Sequence, residues 1–136
     1  MSNRRYAERT KVNESKSRAE IEGELLKHKC DRIAVMTAAS AVDFAWTKSG
    51  RAYRMGITLP SDNAQERRRR MRTLALYIKG RLNAVEDGIK SFEAEFMPEV
   101  VLGDGRTLGE HAHVQLAELE ADEALPTRLQ LPQGRA

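Results

Sequence analysis

A single cysteine, Cys30, in 136 residues excludes an internal disulfide and any cysteine-rich zinc site, and fits a reducing compartment. Aromatic residues make up only 5% of the chain, so its core must be mostly aliphatic. No apolar run approaches the ~20 residues that span a bilayer, and Met-Ser-Asn-Arg-Arg-Tyr at the start has no hydrophobic segment behind its basic residues. A soluble protein without a secretory signal or membrane contact is expected. No G-x-S-x-G, P-loop, dinucleotide fingerprint or H-E-x-x-H is present, so the usual enzymatic signatures are missing and no cofactor is implied. At 40% hydrophobic and 32% charged, the chain suffices for one domain with a modest core.

What is present is polarity of charge. The net charge of +3 hides 19 Lys/Arg against 9 Asp/Glu in residues 1–81, and 4 against 11 in residues 82–136. The halves are therefore +10 and −7. Such a chain can face an anionic partner with one end, or pair its own halves or those of two subunits.

Residues 1–16, with Arg4, Arg5, Arg9, Lys11 and Lys16 and no apolar period, read as a flexible basic arm. Residues 17–123 read as one α+β domain, and 124–136, with two prolines and no period, as a loose tail. Ser17-Arg-Ala-Glu20 has the capping-box pattern, opening a first helix from about Arg18 to His28 with Ile21 and Leu25 inward. Three strands follow, at Arg32 to Thr37, Ala41 to Thr47 and Arg51 to Leu59. Val42, Phe44 and Trp46 alternate with polar or small neighbours in the second, and Tyr53, Met55, Ile57 and Leu59 do so in the third. Lys48-Ser49-Gly50 and Ala38-Ala39-Ser40 are short enough for an antiparallel meander.

Pro60 ends the sheet, and Ser61 or Asp62 is placed to cap a long second helix. Met71, Leu74, Ala75, Ile78, Leu82, Val85, Ile89, Phe92 and Phe96 share an arc of roughly 100° at helical spacing, the strongest structural signal in the chain. A straight helix from Asp62 to Met97 would be ~54 Å long, against ~23 Å for a seven-residue strand, so the sheet cannot cover all of it. Either Gly80 or Gly88 kinks the helix and folds its second half back, or the uncovered stripe of Val85, Ile89, Phe92 and Phe96 forms a homodimer interface. After Pro98, Val100 to Leu102 suit a short strand, and Thr107-Leu-Gly-Glu110 is a second capping box for a short C-terminal helix to about Glu123.

Glu66-Arg67-Arg68-Arg69-Arg70-Met71-Arg72 places cations in the first turns of a helix, against the macrodipole and against one another. An anion relieves both penalties, and phosphate matches the guanidinium fork and the free N–H groups there. The competing reading is a solvated basic helix start neutralised by the acidic C-terminal half. Trp46 and Tyr53 could stack on bases, although their alternation favours the core. His111 and His113 point about 200° apart on a helix, and His28 with Cys30 and Asp31 is a weak cluster, so no metal site is expected. Glu86, Asp87, Glu93 and Glu95 read as a solvated acidic face.

The order helix, three strands, helix with a basic start also resembles the topology of double-stranded-RNA-binding domains, an analogy of topology alone. A closer resemblance rests on Ser15-Lys-Ser-Arg-Ala-Glu-Ile-Glu22, the Glu66 to Arg70 cluster, Ile78-Lys79, Leu82-Asn-Ala-Val-Glu86, Gly88-Ile89, Phe92-Glu-Ala-Glu-Phe96 and Val101-Leu-Gly-Asp-Gly-Arg-Thr-Leu-Gly109. Over most of residues 15–110 the chain looks like a family of small, uncharacterised proteins encoded by phages and prophages. That resemblance implies a protein expressed in the cytoplasm of a bacterial host and brings no activity or site residues. The Lys29-Cys30-Asp31 turn and the C-terminal stretch depart from it.

Two functions follow as expectations. One is a non-enzymatic, nucleic-acid-associated protein gripping DNA or RNA phosphates with Arg68, Arg69, Arg70 and Arg72, helped by Arg4, Arg5 and Arg9. The other is a module that binds a host protein through the helix stripe and the acidic C-terminal half. Cover of the basic cluster by Glu118, Glu120, Asp122 and Glu123 would favour the second.

Overall fold

The computed structural model describes residues 2–121, with side chains described from residue 14 to residue 120. The elements run α1 (Ser2–Lys27), β1 (Asp31–Ala38), β2 (Ala41–Lys48), β3 (Arg51–Thr58), α2 (Ala64–Glu86), α3 (Phe92–Glu95), a 3₁₀ turn (Met97–Glu99) and α4 (Leu108–Ala121). The fold is α+β. The three strands form an antiparallel sheet in the order β1-β2-β3, as the alternation predicts. Its hairpin turn at Ser49-Gly50 has φ of 52° and 78°, the doubly left-handed geometry that follows the twist of the strands and that glycine makes inexpensive.

One face of the sheet carries the core. Val42, Phe44 and Trp46 of β2 are essentially inaccessible, and Tyr53 and Met55 of β3 lie beside them under Met71, Leu74, Ile78 and Leu82 of α2 and Ile21 and Leu25 of α1. Removing such side chains from water supplies about 1.5–3 kcal/mol each, which makes this face the main source of stability. Trp46 and Tyr53 stack at 5.8 Å within it, so neither is available to a base.

α1 differs from expectation. It begins at Ser2 rather than near Arg18, so the stretch read as an arm continues the helix. That stretch has no Gly or Pro, and a helix once nucleated in a packed segment propagates without an apolar period. Ser17 is accordingly not a cap but a buried residue in mid-helix. The cap of α2 is Asn63, whose side chain accepts from the Glu66 N–H at 3.0 Å, instead of Ser61 or Asp62.

Of the two alternatives for the long stripe, the structure takes the fold-back at Gly88. α2 ends at Glu86, Gly88 takes φ of 77°, and the chain turns back so that α3 packs on the core. Phe92 meets Tyr53 edge-on at 5.4 Å, and Phe96 meets Trp46 edge-on at 5.8 Å. Phe92 and Phe96 are therefore buried within the chain's own core, Val85 packs against it, and only Ile89 is left exposed. These four residues do not form a continuous free face, so the homodimer interface expected there has no surface on which to form. Gly80 lies inside a regular helix and is not the kink.

Beyond α3, Val100 bridges Tyr53 and Val101 bridges Thr107, replacing the expected short strand by isolated pairs. The second capping box forms as written: the Glu110 N–H donates to Thr107 Oγ1 at 3.2 Å, and the Thr107 N–H donates to Glu110 Oε1 at 3.2 Å. α4 then leaves the domain, touching mainly the 3₁₀ turn, with Val114, Leu116 and Leu119 exposed.

Candidate phosphate-binding cleft

The arginines of the cluster separate by helical geometry. Arg67 sits on the inner edge of α2 and is structural: its Nε donates to Glu14 at 3.0 Å, and its Nη1 donates to the carbonyls of Ala39 and Pro60. It thereby ties α1, the β1–β2 turn and the start of α2 to one point. Arg70 turns to the sheet side, where its Nε donates to the Thr58 carbonyl at 2.9 Å and its side chain lines a small hollow with Ile57 and Tyr77.

Arg68 and Arg72 face the other way, and Arg69 borders both sides. Together with Lys16 and Ser17 of α1, and with Asn63, Gln65, Glu66 and Thr73, they line an open cleft of about 540 Å³ between the middle of α1 and the start of α2. Two carboxylates moderate the four cations. Glu66 holds Arg69 through paired bonds of 2.9 and 2.6 Å, and Glu20 lies 3.6 Å from Arg72. The hydrogen bond from Arg69 lowers the carboxyl pKa of Glu66, and the same bond raises that of Arg69. Both groups are solvent-exposed, so water screens the pair and a backbone phosphate can compete for Arg69. Arg68 has no partner among the described residues.

The arrangement supplies a planar fork at Arg69, two further guanidinium groups, an ammonium and amide and hydroxyl donors on one concave surface. That is the chemistry of an anion site, with phosphate the best geometric match. Of the residues expected to bind, the cleft unites Arg68, Arg69 and Arg72 and leaves Arg70 outside. The side chains of Arg4, Arg5 and Arg9 lie outside the described ones, as does the tail from residue 124. Lys16 was legible as a basic residue but not as a member of the site, because only the packing of α1 beside α2 brings it there.

Among the described residues, none of α4 lines the cleft. The acids beside it come from α1 and α2, not from the C-terminal half, and Asp122 and Glu123 lie outside the described residues. The other constellations are structural or isolated. His111 Nδ1 is 3.0 Å from Arg106 Nη2, and His28 Nε2 is 3.9 Å from Glu86. Cys30 is buried, and burial pushes its thiol up to about 11. Among the described residues no group of three or more His, Cys, Asp or Glu is placed to hold a metal, and no helix is long and apolar enough to cross a membrane.

Comparison with protein-family models, with curated proteins and with solved structures returns no match. The resemblance to phage-encoded proteins rests on the quoted residues alone.

Proposed function

We propose that the protein is a non-enzymatic nucleic-acid-associated protein that grips phosphates in the cleft between α1 and α2. The observation that carries this reading is the convergence of Lys16, Arg68, Arg69 and Arg72 on one open surface at the start of α2. These cations gain from a phosphate partner, since they lie close to one another and Arg68 and Arg69 stand near the positive end of α2. Contacts of this kind go to the backbone, so binding is sequence-independent and falls steeply with salt. Arg70, bonded to the Thr58 carbonyl, lies outside the cleft, and Arg68 is the cleft arginine without a partner among the described residues. The double reversal Arg68→Glu and Arg72→Glu tests the reading: duplex binding measured by fluorescence anisotropy is lost while circular dichroism is unchanged. Retained binding would refute it.

A second reading has its own observation. α4 exposes Leu116 and Leu119, about one turn apart on the same side of a helix whose contacts with the domain are mainly at the 3₁₀ turn, which suits a protein partner laid along it. In that reading Leu116→Asp abolishes capture of the partner and leaves nucleic-acid binding intact.

A further inference from the structure

The two edges of the sheet are treated differently. At the β3 edge Val100 bridges Tyr53, and the Val101 N–H donates to the Ala52 carbonyl at 2.9 Å, so the chain covers its own backbone there. At the β1 edge nothing among the described residues pairs with the strand. The alternation of an antiparallel ladder settles which groups are free. Ala52 points its carbonyl away from β2, so the even-numbered residues of β3 face the far edge. Carried across the registers, Ala34, Met36 and Ala38 bond to β2 while Ile33, Val35 and Thr37 point their N–H and C=O groups outward.

Sheets usually guard such an edge with lysine, proline, an inward charge or a bulge. Ile33-Ala-Val-Met-Thr-Ala38 has no charged residue and no proline, and its one irregularity, between Asp31 and Ala34, lies at one end. The side chains are also unfinished. On the core face Ile33 and Val35 remain half-buried, whereas Val42, Phe44 and Trp46 one strand further in are 1%, 0% and 1% exposed. On the opposite face Met36 is 55% exposed between Ala34 and Ala38. The missing cover is on the outer flank of β1, where one more strand would lie.

We propose that this strand is β1 of a second copy, paired antiparallel about a two-fold axis at Val35 so that the two sheets become one. The strand is complementary to itself in that register. Ile33 faces Thr37 of the second copy, Val35 faces Val35, and Met36 lies beside Ala34, a large side chain against a small one on each side of the axis. The outward backbone groups of Val35 and Thr37 find partners, and no charge meets its like. Ile33 to Ala38 carries no charge of its own with which to select a foreign peptide, so an identical strand is the occupant it fits best. The cleft between α1 and α2 is not part of this edge, and the proposal does not depend on phosphate binding.

Sedimentation equilibrium over a concentration series tests it with wild type and Thr37→Pro, which removes one outward N–H at a position where an edge strand tolerates proline. Wild type is expected to be a dimer, and Thr37→Pro a folded monomer with its dissociation constant raised at least tenfold. Amide exchange on wild type keeps the test decisive if that variant fails to fold: exchange at Val35 and Thr37 slows as concentration rises. A wild type that stays monomeric up to millimolar concentration overturns the proposal. So does a dimer that survives Thr37→Pro, or one whose Val35 and Thr37 amides exchange equally fast at all concentrations.

Discussion

Arg81 lies over Phe96, its guanidinium carbon 4.3 Å from the ring centre, while its Nε donates to Glu95 at 3.1 Å and its Nη2 to Glu99 at 2.5 Å. The Glu95 carbonyl accepts a further bond from Nη2. Side-chain exposure of 9% for Arg81 and 18% for each glutamate makes this a largely desolvated ion cluster, and it is what holds α3 and the 3₁₀ turn against α2. Arg81→Met therefore leaves two carboxylates without their cation, at a cost of about 3 kcal/mol or more in urea unfolding. Arg81→Lys recovers little, because an ammonium cannot reproduce the fork or lie flat on the ring. An unchanged urea midpoint in Arg81→Met would contradict the role.

Gly80 and Gly88 should respond in opposite directions. Gly80 is exposed within α2 with open space where a Cβ would stand, so Gly80→Ala stabilises by about 0.5–1 kcal/mol through helix propensity. Gly88, at φ of 77°, makes the turn that returns Phe92 to the core, and Gly88→Ala destabilises by about 1 kcal/mol. Thermal unfolding of the two variants distinguishes them. Stabilisation by both would mean that the helix does not end where the structure ends it.

The seat of α4 depends on pH. Hydrogen bonds from the Thr107 backbone N–H and hydroxyl, with a further bond from Arg54, lower the pKa of Glu110 from its ordinary value of 4.5. A carboxylate whose folded pKa is depressed contributes stability that is complete above its unfolded pKa and is lost as pH falls through the folded value. Wild type and Glu110→Gln should therefore differ in unfolding midpoint near pH 7 and converge as pH falls below 4.5 and through the lowered folded value. A gap that widens on acidification would contradict this assignment.

Cys30 should be silent. Its thiol is 4% exposed, and burial raises its pKa to about 11, which leaves roughly one part in a thousand as thiolate at pH 8. Reaction with a disulfide reagent is predicted to be slow in the folded protein and to accelerate with urea along the unfolding curve. Rapid modification of the folded protein would refute the burial.

The sheet was legible because β2 and β3 each have one buried face, and the period of two is then visible in Val42, Phe44 and Trp46 and in Tyr53, Met55 and Ile57. Leu82 to Phe96 left two alternatives open for a physical reason: α2 and α3 pack on the same core, so Leu82, Phe92 and Phe96 keep a common phase across the turn at Gly88, and a helix broken there carries the pattern of a straight one. The two capping boxes show the same limit. Thr107 and Glu110 form theirs after a turn, whereas Ser17 and Glu20 spell the same motif inside a helix that had already begun. In the cleft, the type and position of the cations were visible, but the division of labour was not. Arg67 and Arg70 are consumed by the carbonyls of Ala39, Pro60 and Thr58, partners that only the packed chain brings within reach.

The most direct test of phosphate binding in the cleft is anisotropy of labelled duplex DNA, single-stranded DNA and duplex RNA titrated with protein across a salt series, for wild type and Arg68→Glu/Arg72→Glu. Removing each cation that grips a phosphate should reduce the slope of log affinity against log salt by about one. Salt-dependent binding by wild type, with both affinity and slope diminished in the variant, is the predicted result. Absence of binding to all three at low salt, or an unchanged slope in the variant, would contradict it and direct attention to α4.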